Sequence, residues 1–380
     1  MKLASLPRKV VKGVPYLGKE LRAIVSDHSP LFIAVPRTVH IWRDAPCNAR
    51  CIMCTYGYLK GEAYKAISRS DFTDEMMPRA LSEIHELCGR GTLISYMGGE
   101  PTVCRSITEW IEQAGRLGLD FRFTTNGYIM TQEMAQRFVA AGLFNIGVSL
   151  ESLDPEINEI IRPHDGGTAK TLRCIELLLK ERERQKRHIS INIKTVLTSV
   201  NMESFLDIVK RYGKLDGVMC TPQIFEPLRD MPAETRQKLF IKDAARMQRL
   251  TDQIRALKQE GYAIHATEQS LNDLVKVCQS AKDDTFIMGT EKLEMDPSEP
   301  PCNIGTDNLW IHNGMVKLCP NHPQIGNMVT GPNTTLKQMW EGEMTRKIRA
   351  GTRACRQLCT ISCLRRTPLS HKVSTFLKIA

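Results

Sequence analysis

The sequence predicts an α/β fold in which parallel strands alternate with helices. Six short β-type runs lie within the first 230 residues, and longer segments with apolar residues at helical spacing separate them. This alternation indicates parallel pairing with right-handed crossovers, and it leaves open whether the sheet closes into a barrel. Cysteine, glycine and asparagine residues follow the first three strands, so they are expected at the sheet edge where loops collect ligands.

The predicted strands cover residues 38–43, 92–98, 119–126, 145–152, 189–198 and 217–225. Two segments between them, DEMMPRALSEIHELCGRG and TAKTLRCIELLLKERERQKRH, are predicted helices. After the sixth strand, the sequence predicts a helix, a short strand at YAIHAT (262–267) and another helix. Residues 279–301 are polar and contain proline, so they are a predicted linker to a cysteine-rich segment.

The composition is that of a globular protein without a membrane anchor. At 380 residues with 42% hydrophobic content, the chain can form one large α/β domain and a smaller one. No apolar run reaches the roughly 18–20 residues of a membrane helix, and the basic N-terminal stretch lacks the apolar core of a secretory signal. Thirteen cysteines without an export signal favour the cytoplasm, where clustered thiols bind metals more often than they form disulfides.

The positive charge of the chain is concentrated at its two ends. The net charge is +10, of which residues 1–23 contribute +5 and residues 364–380 contribute +4. The intervening body therefore carries only about +1, which disfavours nucleic acid as a partner. Solvated terminal charge is the favoured explanation of the basic tails, and weak docking to an anionic surface is the alternative.

Three cysteines occur within the eight residues CNARCIMC, and no fourth accompanies them. The thiolates of Cys47, Cys51 and Cys54 are soft ligands suited to iron or zinc. A four-iron cluster held by three cysteines keeps one iron open for a small molecule, as catalytic metal sites generally keep an open position. A zinc knuckle is the alternative interpretation of the spacing alone.

The cysteine spacing and three further motifs resemble the radical S-adenosylmethionine (radical SAM) superfamily. GGEP follows the second predicted strand, and TTNG and SLES end the third and fourth, as in that family. One departure is Met53, which precedes the third cysteine where the family usually has an aromatic residue. The resemblance implies a partial (β/α)6, TIM-like barrel and a [4Fe–4S] cluster with S-adenosylmethionine (SAM) at its open iron.

The resemblance also implies a set of SAM-binding residues. In the family, GGEP holds the methionine amino group, while a serine after the fourth strand and a downstream arginine hold the carboxylate or ribose. Arg–carboxylate pairing suits the latter role. No catalytic residue can be named from the sequence. The predicted cofactor-binding residues are Gly98, Gly99, Glu100, Pro101, Thr124, Asn126, Ser149, Glu151 and Arg162.

A second group of cysteines follows residue 300. Asn313-Gly314 lies between two short β runs and predicts a hairpin that pairs His312 with Met315 and places Cys319 at its open end. Cys302 lies upstream of the opposite strand and can converge with Cys319 on one metal. Two of the three cysteines in CRQLCTISC would complete a four-cysteine site; these are Cys355, Cys359 and Cys363.

A structural zinc is one interpretation of this second group. The segment also resembles the SPASM extension of radical SAM enzymes, or its shorter twitch form, which implies an auxiliary iron–sulfur cluster. Five cysteines are fewer than a full SPASM domain carries, so one auxiliary cluster is expected. The predicted divisions of the chain are a basic extension (1–37), the partial barrel (38–230), a helical and linker region (231–300), the auxiliary-cluster domain (301–364) and a basic tail (365–380).

The resemblance implies that the reduced cluster cleaves SAM to a 5′-deoxyadenosyl radical, which abstracts hydrogen from a substrate carbon. With an auxiliary cluster to accept a second electron, net oxidation of a polar small molecule is expected, such as a sugar, aminocyclitol or nucleoside derivative. Modification of a peptide or protein side chain ranks second, because the residues before Cys47 are too few for a leader-binding domain. A zinc-stabilised, non-enzymatic binding module is a remote alternative. The expected electron donor is a flavodoxin or ferredoxin.

Overall fold

The computed structural model describes residues 35–228, 230–280 and 307–353. Most of the predicted N-terminal extension and the whole predicted C-terminal tail lie outside these ranges. Four of the predicted metal ligands also lie outside them, namely Cys302, Cys355, Cys359 and Cys363.

The described strands form one mixed sheet. Its members are β1 (Thr38–Trp42), β2 (Leu93–Met97), β3 (Asp120–Thr125), β4 (Asn145–Ser149), β5 (Ser190–Leu197), β6 (Val218–Ile224), β7 (Asn308–His312), β8 (Met315–Lys317) and β9 (Gln324–Asn327). The spatial order is β6-β5-β4-β3-β2-β1-β7-β8-β9. Every pair from β6 to β7 in this order is parallel, whereas the pairs β7–β8 and β8–β9 are antiparallel. The α/β prediction is confirmed, and within the described residues the sheet is open between β6 and β9.

Helices connect the parallel strands, and two further helices follow β9. They are α1 (Thr55–Tyr58), α2 (Gly61–Ile67), α3 (Met77–Cys88), α4 (Ile107–Leu117), α5 (Gln132–Ala141), α6 (Pro155–Ile161), α7 (Gly167–Gln185), α8 (Ser204–Tyr212), α9 (Ala233–Leu239), α10 (Ala244–Gln259), α11 (Glu268–Ser280), α12 (Leu336–Glu341) and α13 (Glu343–Arg353). Side-chain caps begin several of them, as where the Thr131 hydroxyl accepts a hydrogen bond from the N–H of Met134. No helix in the described ranges is both long and apolar enough to cross a bilayer.

The sheet has one apolar face and one largely polar face. In β1, Val39 and Ile41 are buried in the core that the sheet shares with the helices. His40 and Trp42 alternate with them and point to the other face, because side chains alternate along a strand. This second face is the inner, concave side of the partial barrel, and the carboxyl ends of β1–β6 meet at one rim.

The predicted hairpin is present and extends the same sheet. His312 pairs with Met315, and Ile311 pairs with Val316. Asn313 and Gly314 have φ of 49° and 84°, the left-handed values that a tight hairpin turn requires. β7 then pairs in parallel with β1 over its whole length. The boundaries of the proposed domains stay predictions.

Candidate functional site

The three cysteines of CNARCIMC lie in the loop between β1 and α1, at the carboxyl rim of the sheet. Cys51 is buried, and Cys47 and Cys54 are half-buried. All three pack in one small cluster with Ala49 and Tyr128. The structure therefore brings the predicted ligands of the first metal centre together.

Burial keeps the thiols of Cys47 and Cys51 protonated in the metal-free protein. Burial is the main reason that the pKa of Cys47 is raised to about 12, and the neighbouring acidic groups of Glu100, Cys51 and Cys54 act in the same direction. Burial likewise raises the pKa of Cys51, while the Arg162 guanidinium opposes the shift. Metal binding must displace these protons, so assembly of a metal centre here releases protons and depends on pH.

Close backbone contacts hold the cysteine loop against its neighbours. A Cβ atom at Gly98, whose φ is 116°, would overlap the carbonyl oxygen of Arg43. A Cβ at Gly57 would overlap the carbonyl oxygen of Cys51, and one at Gly99 would overlap two carbonyl oxygens of the same loop. These three positions require glycine because backbone must approach backbone.

The Glu100 carboxylate joins the ends of β2 and β3. Its Oε1 accepts hydrogen bonds from the N–H and hydroxyl of Thr102 at 3.0 and 2.6 Å and from the Thr125 hydroxyl at 2.6 Å. Its Oε2 accepts from the N–H of Asn126 at 2.8 Å. Pro101 begins the 3-10 turn that this carboxylate caps. Four donors from the chain thus hold Glu100, and its role toward the methionine amino group stays a prediction.

The TTNG motif divides its side chains between two directions. Thr125 bonds to that carboxylate, whereas Thr124 lies on the inner face beside Gly147. The Asn126 amide donates to the Asn48 side-chain oxygen at 2.8 Å and so reaches the cysteine loop. The motif therefore connects the third strand to the predicted metal ligands.

Glu151 and Arg162 form a buried ion pair at the end of β4. Arg162 Nε donates to Glu151 Oε1 at 2.8 Å, and the other carboxylate oxygen accepts from the N–H of Val196 at 2.6 Å. Burial would lower the pKa of Arg162, but the neighbouring acidic groups of Cys51 and Glu151 raise it above its ordinary value. A protonated arginine thus stands next to a predicted cluster ligand. Ser149 ends β4 nearby and is half-buried.

Three supporting residues were not predicted. The Tyr56 hydroxyl accepts a hydrogen bond from the N–H of Gly99 at 3.1 Å and donates to the carbonyl oxygen that ends α2. Asn158 accepts from the N–H of Glu151, and Asn201 donates to the Glu151 carbonyl oxygen, both at 2.9 Å. Only the closeness of Tyr56 to the third cysteine could have indicated any of these roles from sequence.

Of the predicted second cysteine group, the described residues contain Cys319 alone. It is buried after β8, and its sulfur accepts a hydrogen bond from the N–H of Asn321 at 3.4 Å. Across residues 35–228, 230–280 and 307–353, no three His, Cys, Asp or Glu side chains are placed to hold a single metal ion. The auxiliary cluster stays a prediction.

The hairpin turn contacts the loop that leads into the first cysteine group. Asn313 Oδ1 accepts hydrogen bonds from the Asp44 N–H and the Ser70 hydroxyl, each at 2.8 Å. Asn313 Nδ2 donates to Asp44 Oδ2 at 2.7 Å, and its own N–H donates to the Trp42 carbonyl oxygen. Because Asp44 is three residues before Cys47, the hairpin β7–β8 braces the loop of the three cysteines.

Comparison with known proteins agrees with this geometry. Residues 46–211 match the Radical SAM superfamily, so the chain carries a radical SAM domain. The AdoMet-dependent heme synthase of Methanosarcina barkeri is 26% identical over 181 residues, which cover 47% of this chain and 48% of that protein. A probable GTP 3′,8-cyclase of Thermococcus kodakarensis is 29% identical over 192 residues, covering 50% and 56%. The chain spans about half the length of the curated relatives it matches.

Solved structures show the same fold over most of the chain. SuiB of Streptococcus suis bound to S-adenosylmethionine has a TM-score of 0.61 at 16% identity, covering 96% of this chain and 76% of that one. SuiB bound to its precursor peptide SuiA has a TM-score of 0.57 at 15% identity, covering 96% and 75%. This likeness shows the fold, an α/β partial barrel.

The cofactors of the radical SAM domain are a [4Fe–4S] cluster and SAM. The donor set at the rim fits them. Three soft thiols share one loop, which matches a cluster with one open iron. Arg162 and Glu151 place one charge of each sign near Cys51, where a zwitterionic amino-acid group can be recognised.

Proposed function

We propose that this chain cleaves SAM reductively and abstracts a hydrogen atom from a substrate carbon, with net oxidation of a polar small molecule. The observation that carries the proposal is the convergence at one rim of the Cys47–Cys54 loop, the Glu100 network and the Arg162–Glu151 pair. A stable ion pair and four donors on one carboxylate fix these groups before any ligand binds, which is what orientation of a reactive cofactor requires.

In this proposal each part of the rim has a separate task. Cys47, Cys51 and Cys54 hold the cluster, which, when bound, supplies the electron that splits SAM into methionine and a 5′-deoxyadenosyl radical. Gly98 and Gly99 let the cysteine loop pack against the end of β2, and the main chain of GGEP would bind the methionine ammonium. Arg162 binds the methionine carboxylate or a ribose hydroxyl, and the concave face of the sheet excludes water from the radical.

We propose that the C-terminal segment holds one auxiliary iron–sulfur cluster, which accepts the second electron of the oxidation. Cys319 and Cys302 would supply two ligands, and two of Cys355, Cys359 and Cys363 would supply the others. Support comes from Cys319, which is buried at the end of a hairpin that contacts the loop of the first cluster. A flavodoxin or ferredoxin would supply the first electron.

Modification of a peptide side chain is the second candidate. SuiB, which shares the fold, has been solved with a precursor peptide bound. A peptide product would carry a changed mass on one residue, whereas small-molecule oxidation would leave added peptides unaltered. Mass spectrometry of candidate peptides incubated with the reconstituted protein separates these two outcomes.

Anaerobic reconstitution tests the proposed activity. The chemically reduced protein should convert SAM to 5′-deoxyadenosine and methionine, measured by liquid chromatography. A variant in which alanine replaces Cys47, Cys51 and Cys54 should form no 5′-deoxyadenosine. Cys104→Ala, which removes a half-buried cysteine outside the motif, should still form it. A wild-type protein that binds a four-iron cluster and SAM but forms no 5′-deoxyadenosine would contradict the proposal.

Iron content tests the number of clusters. Two four-iron clusters predict about eight irons and eight sulfides per chain, and loss of either cluster predicts about four. The triple alanine variant and Cys319→Ala should each give the lower value. Stoichiometric zinc without sulfide in the wild type would instead support the binding-module alternative.

A further inference from the structure

Tyr128 follows the TTNG motif and lies against the cysteine loop. Its side chain is buried, with 7% exposed, and it forms one small cluster with Ala49 and Cys51. Its main-chain N–H donates to Asn126 Oδ1 at 2.9 Å, which fixes the backbone at this point. The tasks proposed for the rim leave the hydroxyl group of this residue unused.

The ring of Tyr128 is held by its neighbours. The His164 imidazole packs on it with ring centroids 4.1 Å apart. Gly167, at the start of α7, is so close that a Cβ there would stand 3.3 Å from the Tyr128 hydroxyl oxygen. Because protein interiors are close-packed, a ring held in this way keeps its hydroxyl group inside the protein.

The Tyr128 hydroxyl has no hydrogen-bond partner among the described residues, although its oxygen is buried. A tyrosine normally has a pKa of about 10, and burial raises that of Tyr128 further, so the hydroxyl carries a hydrogen at pH 7. Buried polar groups are nearly always bonded. A donor in this position therefore indicates an acceptor that belongs to the working protein.

The groups around the hydroxyl narrow the choice of acceptor. Arg162, Cys51 and Glu151 all act on the pKa of Tyr128, so all three are near it. A guanidinium can only donate, so Arg162 cannot accept the phenol hydrogen. The Glu151 oxygens accept from Arg162 and from the N–H of Val196, and neither bonds to Tyr128. The sulfur of Cys51 remains, and it packs in the same cluster as the ring.

Cys51 becomes a strong acceptor when it ligates iron. A neutral thiol accepts hydrogen bonds weakly, whereas a metal-bound cysteine is a thiolate with negative charge. Hydrogen bonds to the sulfurs of an iron–sulfur cluster are one of the factors that set its reduction potential. Since the reduced cluster carries one more negative charge than the oxidised cluster, a donor stabilises the reduced form more and raises the potential.

We propose that the Tyr128 hydroxyl donates a hydrogen bond to the Cys51 thiolate of the bound cluster and thereby raises the reduction potential of that cluster. Tyr128 acts on the cluster through Cys51, so it is a positioning residue rather than a catalytic one. Its effect is to make the first electron easier to accept from the donor protein. The inference rests on the proposed function in one respect, namely that Cys51 ligates the cluster.

A redox titration of the full-length, anaerobically reconstituted protein tests this inference. The titration is followed by electron paramagnetic resonance without SAM, and the first cluster is recognised in a separate sample as the one whose spectrum SAM changes. Tyr128→Phe keeps the ring and removes only the hydroxyl group. We expect its equilibrium constant for one-electron reduction to fall about ten-fold, which lowers the midpoint potential by about 59 mV.

Tyr212→Phe is the matched control. Tyr212 lies at the end of α8, and its buried hydroxyl also lacks a partner in the described part of the chain, but it packs in the main core rather than with the cysteines. This variant should keep the wild-type potential. Equal potentials in the wild type and Tyr128→Phe, or an equal shift in Tyr212→Phe, would overturn the inference.

An anaerobic crystal structure of the reconstituted wild type decides the question independently, even if Tyr128→Phe fails to retain its cluster. The Tyr128 oxygen should be in hydrogen-bond contact with the sulfur of Cys51. A water molecule or the SAM carboxylate as its acceptor would overturn the inference. The same conclusion would follow if Tyr128→Phe bound SAM more weakly at an unchanged potential, because the hydroxyl would then serve SAM.

The outcomes also separate this inference from the proposed function. A potential that falls in Tyr128→Phe, in a protein that forms no 5′-deoxyadenosine, would contradict the proposed function while supporting the hydrogen bond. A protein that forms 5′-deoxyadenosine with equal potentials in both forms would do the reverse. A wild type that binds no iron at Cys51 would contradict both.

Discussion

Glu100 illustrates how one side chain can hold two loops in place. Its carboxylate accepts from four donors, and two of them, the N–H groups of Thr102 and Asn126, cannot turn away as a hydroxyl can. These two N–H groups bond to different oxygens of the carboxylate. Glu100→Gln places an amide N–H₂ against these donors. We expect the free energy of unfolding to fall by about 2 kcal/mol, measured by anaerobic urea denaturation, and 5′-deoxyadenosine formation to fall with it.

Glu109 provides the control for that substitution. It lies on α4 with 61% of its side chain exposed, so Glu109→Gln should change the free energy of unfolding by no more than about 0.5 kcal/mol. Equal stabilities of the two variants would show that the hydrogen bonds to Glu100 contribute little.

Gly99 is expected to tolerate no side chain. A Cβ there would overlap carbonyl oxygens of the cysteine loop, so Gly99→Ala must displace backbone and should cost about 2 kcal/mol or more. Gly115 in α4 is the matched control, because its Cβ would stand 3.6 Å from the nearest atom. Thermal unfolding should show a lower midpoint for Gly99→Ala and an unchanged or higher one for Gly115→Ala, and similar midpoints would contradict the close approach.

His40 should make stability depend on pH. Its pKa is about 4 in the folded protein and about 6.5 when unfolded, so the unfolded chain binds the proton first as pH falls. Stability should therefore be lost between pH 6.5 and pH 4, by up to about 3 kcal/mol from this residue. His40→Gln should lack that part of the loss. The free energy of unfolding is measured by urea titration at several pH values across this range. If it falls with pH equally in the wild type and in His40→Gln, the prediction is refuted.

At the scale of elements, the turn of the hairpin β7–β8 forms hydrogen bonds to a loop that is distant in sequence. Asn313→Gly keeps the left-handed turn but removes three side-chain hydrogen bonds to Asp44 and Ser70. We expect a loss of about 1–2 kcal/mol in stability and a several-fold faster release of iron to a chelator. Ser70→Ala removes only one of the three bonds to Asn313, together with the bond that the Ser70 hydroxyl accepts from the N–H of Phe72, and should have a smaller effect on iron release. Iron release at the wild-type rate in Asn313→Gly would show that the hairpin does not brace the loop.

The elements differ in how far the sequence predicts them. The Asn313-Gly314 hairpin was predictable because those two residues adopt the turn locally. The strand predicted at 262–267 is wrong in extent, since only a single bridge joins Ile264 to Cys220. Pairing decides whether a short apolar run becomes a strand, and the partner lies elsewhere in the chain.

The candidate site was likewise predictable only where local sequence determines the structure. The motifs at the strand ends were predictable because parallel strands share one rim, but the partners of each side chain were not. Alternation along β3 turns Thr125, rather than Thr124, toward Glu100, and the pairing of Arg162 with Glu151 depends on where α6 ends. Such contacts follow from packing, which local patterns do not encode.

At the scale of the molecule, β1 is an internal strand that depends on the C-terminal segment. β2 covers one edge, and β7 covers the other over five aligned residue pairs. A chain that ends at residue 300 would leave this edge unpaired, which favours aggregation. After expression and centrifugation of the lysate, we expect most of that fragment in the insoluble pellet and most of the full chain in the supernatant. A soluble, monomeric fragment by gel filtration would contradict this expectation.

The parallel pairing of β1 with β7 also bears on how the protein is made. Asn308 leaves the ribosome 270 residues after its partner Thr38. At about 5–20 residues per second, the nascent chain would wait roughly 10–50 s with one side of its first strand uncovered. Chaperone protection during translation would be most valuable over that interval, before β7 arrives to close the gap.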